Sequence, residues 1–195
     1  MKIKFVLPII CILLLISTNS YTKQSVNIKS TKKIKLISKN NEKTKYHSIA
    51  NTPLTVVIFL SDICPISIYN FKNLNDIQTK YSKDSLHIIG VFPNQDMNVQ
   101  KLNNIDSTYH LKFDIYLDKN KKFTKYLGAK ITPQVFVINN NFEILYSGMI
   151  DDAFINIKDR KWSNIHNYLS ETIEHYFDKQ PITIKSTEPI GCFIY

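Results

Sequence analysis

The chain has 195 residues, of which 44% are hydrophobic, and its formal net charge at pH 7 is +9. The positive charge is concentrated near the N-terminus, where eight lysines and a single acid, Glu42, lie between Lys23 and Lys45. The one arginine, Arg160, is not accompanied by the arginine–aromatic alternation that reads bases, so the composition argues against a nucleic-acid partner.

The N-terminus has the pattern of a signal peptide. The basic residues Lys2 and Lys4 precede an apolar stretch over residues 5–16, and small residues follow at positions 18 and 20 with the spacing of a cleavage site. We therefore predict export, to the periplasm or outside the cell, with a signal peptide at 1–20. An uncleaved N-terminal membrane anchor is the alternative, although the stretch is shorter than the roughly 20 residues of a membrane span.

Residues 21–45 are predicted to be a Lys-rich linker or tail. Their apolar residues are few and scattered among lysines, so burial does not offset the entropy that ordering would cost. Peripheral contact with anionic lipid is the membrane interaction that such a segment favours. Residues 34–37 are the part that still has the composition of an edge strand.

The chain from residue 46 to residue 180 alternates strand and helix patterns. Residues 53–60 (PLTVVIFL) form a continuous apolar run rich in β-branched residues, which is typical of a strand buried on both faces. Asn139, Asn140 and Asn141 predict a hairpin turn. The predicted strands lie at 53–60, 86–92, 113–117, 134–138 and 143–147, and the predicted helices at 65–81, 97–109, 119–127 and 162–177. This order predicts an α/β domain with a central mixed β-sheet flanked by helices.

Two cysteines remain once the signal peptide, with Cys11, is removed. Cys64 lies at the junction of the strand at 53–60 and its following helix, and Pro65 fits the first helical position. A helix N-terminus offers unpaired N–H groups and partial positive charge, which stabilise the nucleophilic thiolate. Cys192 lies near the C-terminus of a chain expected in a compartment where disulfides persist. The residues alone leave open a structural disulfide or a reactive Cys64 with a distant partner.

A resemblance to a known fold rests on the order of these motifs. Thr132-Pro133 directly precedes an apolar strand, and a cysteine at a strand–helix junction followed by this Thr-Pro and a hairpin resembles the thioredoxin fold. The segment at 118–148, DKNKKFTKYLGAKITPQVFVINNNFEILYSG, is similar to exported redoxin-domain proteins of the thioredoxin-like superfamily, the AhpC/TSA-like and TlpA-like groups. The segments GMIDD (148–152) and TEPIGC (187–192) resemble a subgroup that pairs a CP-x-S site with a C-terminal cysteine.

The resemblance implies an exported thiol–disulfide oxidoreductase in which Cys64 is the nucleophile. The implied catalytic residues are Cys64, Ser67 and Cys192. The implied substrate-binding residues, which shape the docking groove, are Pro65, Thr132 and Pro133. The expected partners are protein or small-molecule disulfides and thiols, and no cofactor or metal is expected. The implied organisation is a thioredoxin-like redoxin domain at 46–180 and a C-terminal extension at 181–195 that carries Cys192.

The departures from the thioredoxin pattern define the expected chemistry. Ser67 stands where thioredoxins have a second thiol, and a hydroxyl does not resolve a mixed disulfide, so turnover needs Cys192, an external thiol or a second chain. Ile58 replaces the buried acid of thioredoxins. We expect the pKa of Cys64 to be depressed and that of Cys192, on a mobile tail, to be near the ordinary value of about 8.5.

Two other functions are retained as alternatives. A peroxiredoxin-like thiol peroxidase is less expected, because Ser61 fits its hydroxyl position but Val57 replaces its proline and Arg160 lies too far along the chain. A non-catalytic thioredoxin-like binding module would use Cys64 and Cys192 as a structural disulfide. The pKa of the Cys64 thiol separates an active site from such a structural pair. The five histidines show no ligand spacing of a metal site.

Overall fold

The computed structural model describes residues 33–83 and 85–195. The predicted signal peptide at 1–20 and the first part of the Lys-rich segment lie outside the described residues. Within the described ranges, no helix is both long enough and apolar enough to cross a membrane.

The described chain forms a seven-stranded mixed sheet with helices on both faces. The order of strands in this sheet is β2-β1-β5-β4-β3-β7-β8, and β6 pairs with β9 in a separate two-stranded sheet. The strands are β1 Lys35–Ser38, β2 Lys43–Lys45, β3 Leu54–Phe59, β4 Leu86–Phe92, β5 Asp114–Leu117, β6 Ile131–Thr132, β7 Gln134–Asn139, β8 Ile144–Gly148 and β9 Cys192–Phe193. The helices are α1 Tyr46–Ile49, α2 Pro65–Lys80, α3 Val99–Tyr109, α4 Lys122–Leu127 and α5 Tyr168–Phe177.

The central strand β3 is buried along its whole length and divides two hydrophobic clusters. Val56 and Ile58 face the cluster that α2, α3 and α5 cover. Val57 and Phe59 face the other cluster, to which α1 and α4 contribute. Alternate side chains of a strand point to opposite faces, so the apolar run at 53–60 supplies both layers. The predicted α/β class, a mixed sheet flanked by helices, is confirmed.

The folded domain begins before the predicted boundary at residue 46. β1 extends the sheet, since Ile37 pairs with Leu117 of β5. Ile34 and Leu36 are only 5% and 0% exposed, while the intervening lysine is exposed. Residues 33–45 of the linker predicted over 21–45 therefore belong to the folded domain. The apolar residues within 34–37, the part with strand composition, alternate with lysine and bury one face of β1, which lies between β2 and β5.

The last helix begins later than predicted. α5 starts at Tyr168 rather than at Trp162, and the side-chain oxygen of Asn167 caps it by accepting the N–H of Ser170 at 2.9 Å. The residues before Asn167 form a loop in which Trp162 is 83% exposed. An asparagine cap satisfies the free N–H groups of the first turn and so sets the start of the helix.

Candidate functional site

Cys64 lies at the N-terminus of α2, where the chain leaves β3. It is the N-cap residue, with extended backbone angles (φ −84°, ψ 115°), and Pro65 occupies the first helical position. The N–H groups of Ile66 and Ser67 lower the pKa of the Cys64 thiol, although the sulfur does not complete a side-chain cap hydrogen bond with them. The Cys64 side chain has no solvent exposure. The predicted position of the cysteine at the strand–helix junction is therefore observed.

Ser67 lies one helical turn after Cys64 and is also fully buried. Its hydroxyl accepts the N–H of Ser61 at 3.3 Å. The Ser67 side chain lowers the pKa of the Cys64 thiol and so favours the negatively charged thiolate. Ser67, one of the implied catalytic residues, therefore lies beside Cys64.

Thr132 and Pro133 lie beside Cys64 although 68 residues separate them from it in the chain. The Thr132–Pro133 peptide bond is cis. As a thiol, Cys64 donates to the Thr132 carbonyl oxygen at 3.0 Å. Both Thr132 and Pro133 are buried. The structure thus brings the three central residues of the predicted site together.

The C-terminal strand β9 places Cys192 against the same site. In the β6–β9 ladder Thr132 pairs with Cys192 and Ile131 pairs with Phe193. The Thr132 hydroxyl donates to the Cys192 carbonyl oxygen at 3.3 Å, and the Ile194 N–H donates to the Lys130 carbonyl oxygen at 2.9 Å. The pairing places the backbone of Cys192 directly opposite that of Thr132.

The thiols of Cys64 and Cys192 lie close enough that each shifts the pKa of the other. Both cysteines are free thiols in the structure. The two sulfurs, 128 positions apart in sequence, therefore form a reduced pair.

Polar contacts of Thr187 hold the C-terminal extension against the domain before the chain reaches Cys192. The Thr187 N–H donates to the Ser147 carbonyl oxygen at 3.1 Å, and the Thr187 hydroxyl bonds the hydroxyl of buried Tyr146 at 2.6 Å and accepts the Met149 N–H at 2.9 Å. Gly148 has φ +145°, and a Cβ there would lie 2.3 Å from the Thr187 hydroxyl oxygen. The motifs GMIDD and TEPIGC therefore contact each other, a relation that sequence analysis missed because neither motif has local periodicity.

The two thiols have oppositely shifted pKa values. Burial raises the pKa of Cys64, but hydrogen bonds from the Cys192 thiol, from Ser67 and from the Ile66 N–H outweigh burial and lower it overall. Burial raises the pKa of Cys192 to about 12, helped by its hydrogen bond to Cys64 and by the negative charge there. The expectation of an ordinary pKa for Cys192 is wrong, because the tail is packed against β6.

The residues considered for a peroxidase site make other contacts. The Ser61 hydroxyl accepts the Asn94 side-chain N–H at 3.0 Å. The Arg160 guanidinium lies over the rings of Tyr69 and Trp162, at 4.7 and 4.3 Å from their centroids. Arg160 is therefore engaged by aromatic rings.

The fold and this cysteine site define a thioredoxin-like protein. The model of the Redoxin family matches residues 25–154, more than half of the chain, which therefore belongs to the Redoxin family. No curated protein matches the sequence significantly.

Solved structures share this fold at low sequence identity. A hypothetical protein from Sinorhizobium meliloti is 18% identical with a TM-score of 0.73, covering 88% of this chain and 92% of that one. A proposed thiol:disulfide interchange protein DsbE from Chlorobium tepidum is 16% identical with a TM-score of 0.54, covering 64% and 82%. PrxQ from Xylella fastidiosa is 12% identical with a TM-score of 0.60, covering 80% and 95%. The predicted thioredoxin-like fold is confirmed.

Proposed function

We propose that this redoxin is an exported thiol–disulfide oxidoreductase in which Cys64 attacks a partner disulfide and Cys192 resolves the mixed disulfide. The observation that carries the proposal is the β6–β9 pairing, which places the free thiol of Cys192 at the Cys64 site, with the pKa of Cys64 lowered and that of Cys192 raised. The partners are protein or small-molecule disulfides and thiols. The two cysteines supply the two electrons of the reduction, and no cofactor takes part.

In the first step the Cys64 thiolate attacks one sulfur of the partner disulfide. A bond forms between Cys64 and that sulfur, the partner disulfide breaks, and the second partner sulfur leaves as a thiolate. The N–H groups of Ile66 and Ser67 and the Ser67 hydroxyl hold the attacking charge. The thiolate is the nucleophile, so a lowered pKa raises its fraction at neutral pH.

The second step depends on the change in charge at Cys64. Once Cys64 is in the mixed disulfide it carries no negative charge, so two of the causes that raise the pKa of Cys192 disappear. Cys192 then loses its proton more readily, attacks the Cys64 sulfur and releases the partner as a thiolate. The product is reduced partner and a Cys64–Cys192 disulfide. An external dithiol returns the protein to its reduced state.

The remaining site residues position the partner. The Ile131–Thr132 strand offers backbone groups to an extended segment, as its pairing with β9 illustrates. Buried Pro133 follows it directly, and Pro65 begins α2 without an N–H that would need a partner. Thr132, Pro133 and Pro65 thus shape the docking groove around Cys64.

Single-cysteine variants test the assignment of roles. Reduced protein is mixed with a disulfide-bonded protein substrate, the reaction is quenched with acid, and the products are identified by intact mass. Cys64→Ser should abolish exchange, whereas Cys192→Ser should accumulate a mixed disulfide with the substrate. If neither variant traps substrate and both alkylate at the same slow rate, the pair is structural and the chain is a binding module.

A comparison of two reaction rates of the wild-type protein separates disulfide exchange from peroxide reduction. PrxQ is a structural neighbour, and a peroxidase would use Cys64 to reduce a peroxide to an alcohol and would itself become a sulfenic acid. We expect the wild-type protein to react faster with a protein disulfide than with hydrogen peroxide. The opposite order of rates would favour the peroxidase.

Export is proposed from the signal-peptide pattern of the first residues. Expression of the full chain in a bacterium followed by fractionation should place the protein in the periplasm or the medium. Intact mass should correspond to a chain that begins near residue 21. A full-length chain in the membrane fraction would indicate an uncleaved anchor.

A further inference from the structure

The groove beside Cys64 is occupied by the protein's own C-terminus. The tail is seated there by its strand pairing with β6, by the hydrogen bonds of Cys192 and Ile194 to Thr132 and Lys130, and by the proximity of its thiol to Cys64. Cys64 has no solvent exposure with the tail in this position. A partner disulfide therefore reaches Cys64 only when β9 leaves the groove.

The groove restricts the residue before the cysteine. A Cβ at Gly191 would lie 2.1 Å from the carbonyl oxygen of Thr132 and 3.0 Å from the Ile131 side chain. The Thr132 carbonyl belongs to β6 and faces the Cys64 sulfur at 3.0 Å, so it does not withdraw without disturbing the site. A segment that lies in the groove as the tail does must have glycine at this position.

The groove treats the two residues after the cysteine differently. Phe193 is 67% exposed and borders an open cleft of about 410 Å³ beside Lys130 and Gln134, so the position is tolerant of size. Ile194 is half-buried and packs against the hydrophobic cluster that contains Phe59. Its place requires an apolar side chain, because a polar one would lose hydration without gaining a partner.

We propose that the strand edge Lys130–Thr132 is a docking site for extended peptide disulfides of the pattern Gly-Cys-any-aliphatic, and that the tail is a tethered copy of this ligand that competes for the site. This inference rests on the proposed function and specifies its substrate class. A segment with the pattern displaces β9, aligns its backbone with Thr132 and places its sulfur where that of Cys192 lies. Thr187 keeps the displaced tail close for the resolving step.

Peptide mixed disulfides measure the specificity directly. The full-length Cys192→Ser protein also carries Cys11→Ser, here and in the tail variants below, so that Cys64 is its one thiol. It reacts with the peptide Pro-Ile-Gly-Cys-Phe-Ile-Tyr, the sequence of residues 189–195, whose cysteine carries a thionitrobenzoate group. The Cys64 thiolate attacks the peptide sulfur, the new disulfide forms, and coloured thionitrobenzoate leaves as a thiolate. The rate of colour release reports docking followed by attack.

Three altered peptides provide the comparison. Replacing the glycine by alanine should slow the reaction by about tenfold or more, because the added Cβ would collide with the Thr132 carbonyl oxygen. Replacing the isoleucine after the phenylalanine by aspartate should slow it as much, because the carboxylate would lose hydration without gaining a partner. Replacing the phenylalanine by alanine should leave the rate unchanged. Equal rates for all four peptides would overturn the docking inference.

The symmetric nitrobenzoate disulfide, which has no peptide, separates the two hypotheses. If Cys64 of the folded protein reacts neither with this small reagent nor with the disulfide-bonded protein substrate, the proposed function fails. If Cys64 reacts with the small reagent but the peptides show no discrimination, the docking inference alone fails.

Tail variants test the competition. In the full-length Cys192→Ser protein, Gly191→Ala should prevent the tail from seating and so accelerate the reaction of Cys64 with the symmetric reagent. Phe193→Ala is the matched control in the same strand and should react at the parent rate. Unchanged melting temperatures exclude general unfolding as the cause. No acceleration by Gly191→Ala, or equal acceleration by both variants, would refute the competition.

Discussion

Replacing Ser67 with cysteine would move the resolving thiol from the tail to the active-site helix. Ser67 already hydrogen-bonds the Cys64 sulfur across the first turn of α2. Residues three apart on a helix have Cβ atoms about 5–6 Å apart, and a disulfide needs about 3.5–4.5 Å, so a small adjustment of the first turn suffices. We expect Ser67→Cys, combined with Cys192→Ser, to release the partner that Cys192→Ser alone retains.

The expected gain follows from the proximity of the two side chains. A neighbouring thiol acts at an effective concentration of at least about 1 mM, so with an external thiol at about 10 µM the release should be roughly 100-fold faster. The change also has a cost. The Ser67 hydroxyl accepts the buried Ser61 N–H at 3.3 Å, and a thiol is a weak acceptor, so we expect a loss of about 1–3 kcal/mol in the free energy of unfolding.

The assay follows the decay of a defined adduct. Both proteins are loaded with glutathione at Cys64, excess reagent is removed, and intact mass is recorded over time. Ser67→Ala with Cys192→Ser is the matched control, since it removes the same hydroxyl without adding a thiol and should keep its adduct. If the Ser67→Cys protein keeps glutathione as long as this control does, the side chain at position 67 does not reach Cys64 and the described geometry is wrong.

Two further predictions concern the N-terminal strand and the pH dependence of the site. Leu36→Ala should lower the free energy of unfolding by about 2–5 kcal/mol, because Leu36 is fully buried. Lys35→Ala changes an exposed residue of the same strand and is the control. Equal melting temperatures for the two variants would show that β1 is not part of the folded domain. Cys192→Ala removes a hydrogen bond to the Cys64 sulfur that lowers the pKa of Cys64. The rise of the Cys64 alkylation rate with pH should therefore move to higher pH than in the wild type, and a shift to lower pH would contradict the proposed pairing.

Local patterns were sufficient to predict most of the sheet and half of the site. The apolar run at 53–60 predicts a strand buried on both faces, and its last residues place Cys64 at the start of a helix whose first position suits Pro65. These features depend on the periodicity and backbone preferences of neighbouring residues. They can be read from the sequence because few alternative arrangements satisfy them.

The boundaries of the domain depended on contacts that local composition does not reveal. The lysines of residues 33–45 suggested a solvated segment, yet Leu36 is fully buried because β5 provides a strand edge beside it. Similarly, Trp162 has the spacing of a helical residue but lies in a loop, since the cap at Asn167 starts α5 later. At β1 a strand elsewhere in the fold decided between two locally acceptable conformations. At α5 a local side-chain cap set the first residue of the helix.

The sequence by itself determined that Cys64 lies at the junction of a buried strand and a helix, but the tertiary structure alone decided where Cys192 lies. Strand, cysteine and proline are adjacent in the chain, so their geometry follows from local preferences. The approach of Cys192 depends on Thr187 bonding Tyr146 and on two glycines, Gly148 and Gly191, that let backbones meet closely. Such contacts join segments far apart in the chain. Their free energy comes from packing and hydrogen bonds between those segments, which the periodicity of hydrophobic residues along the sequence does not indicate.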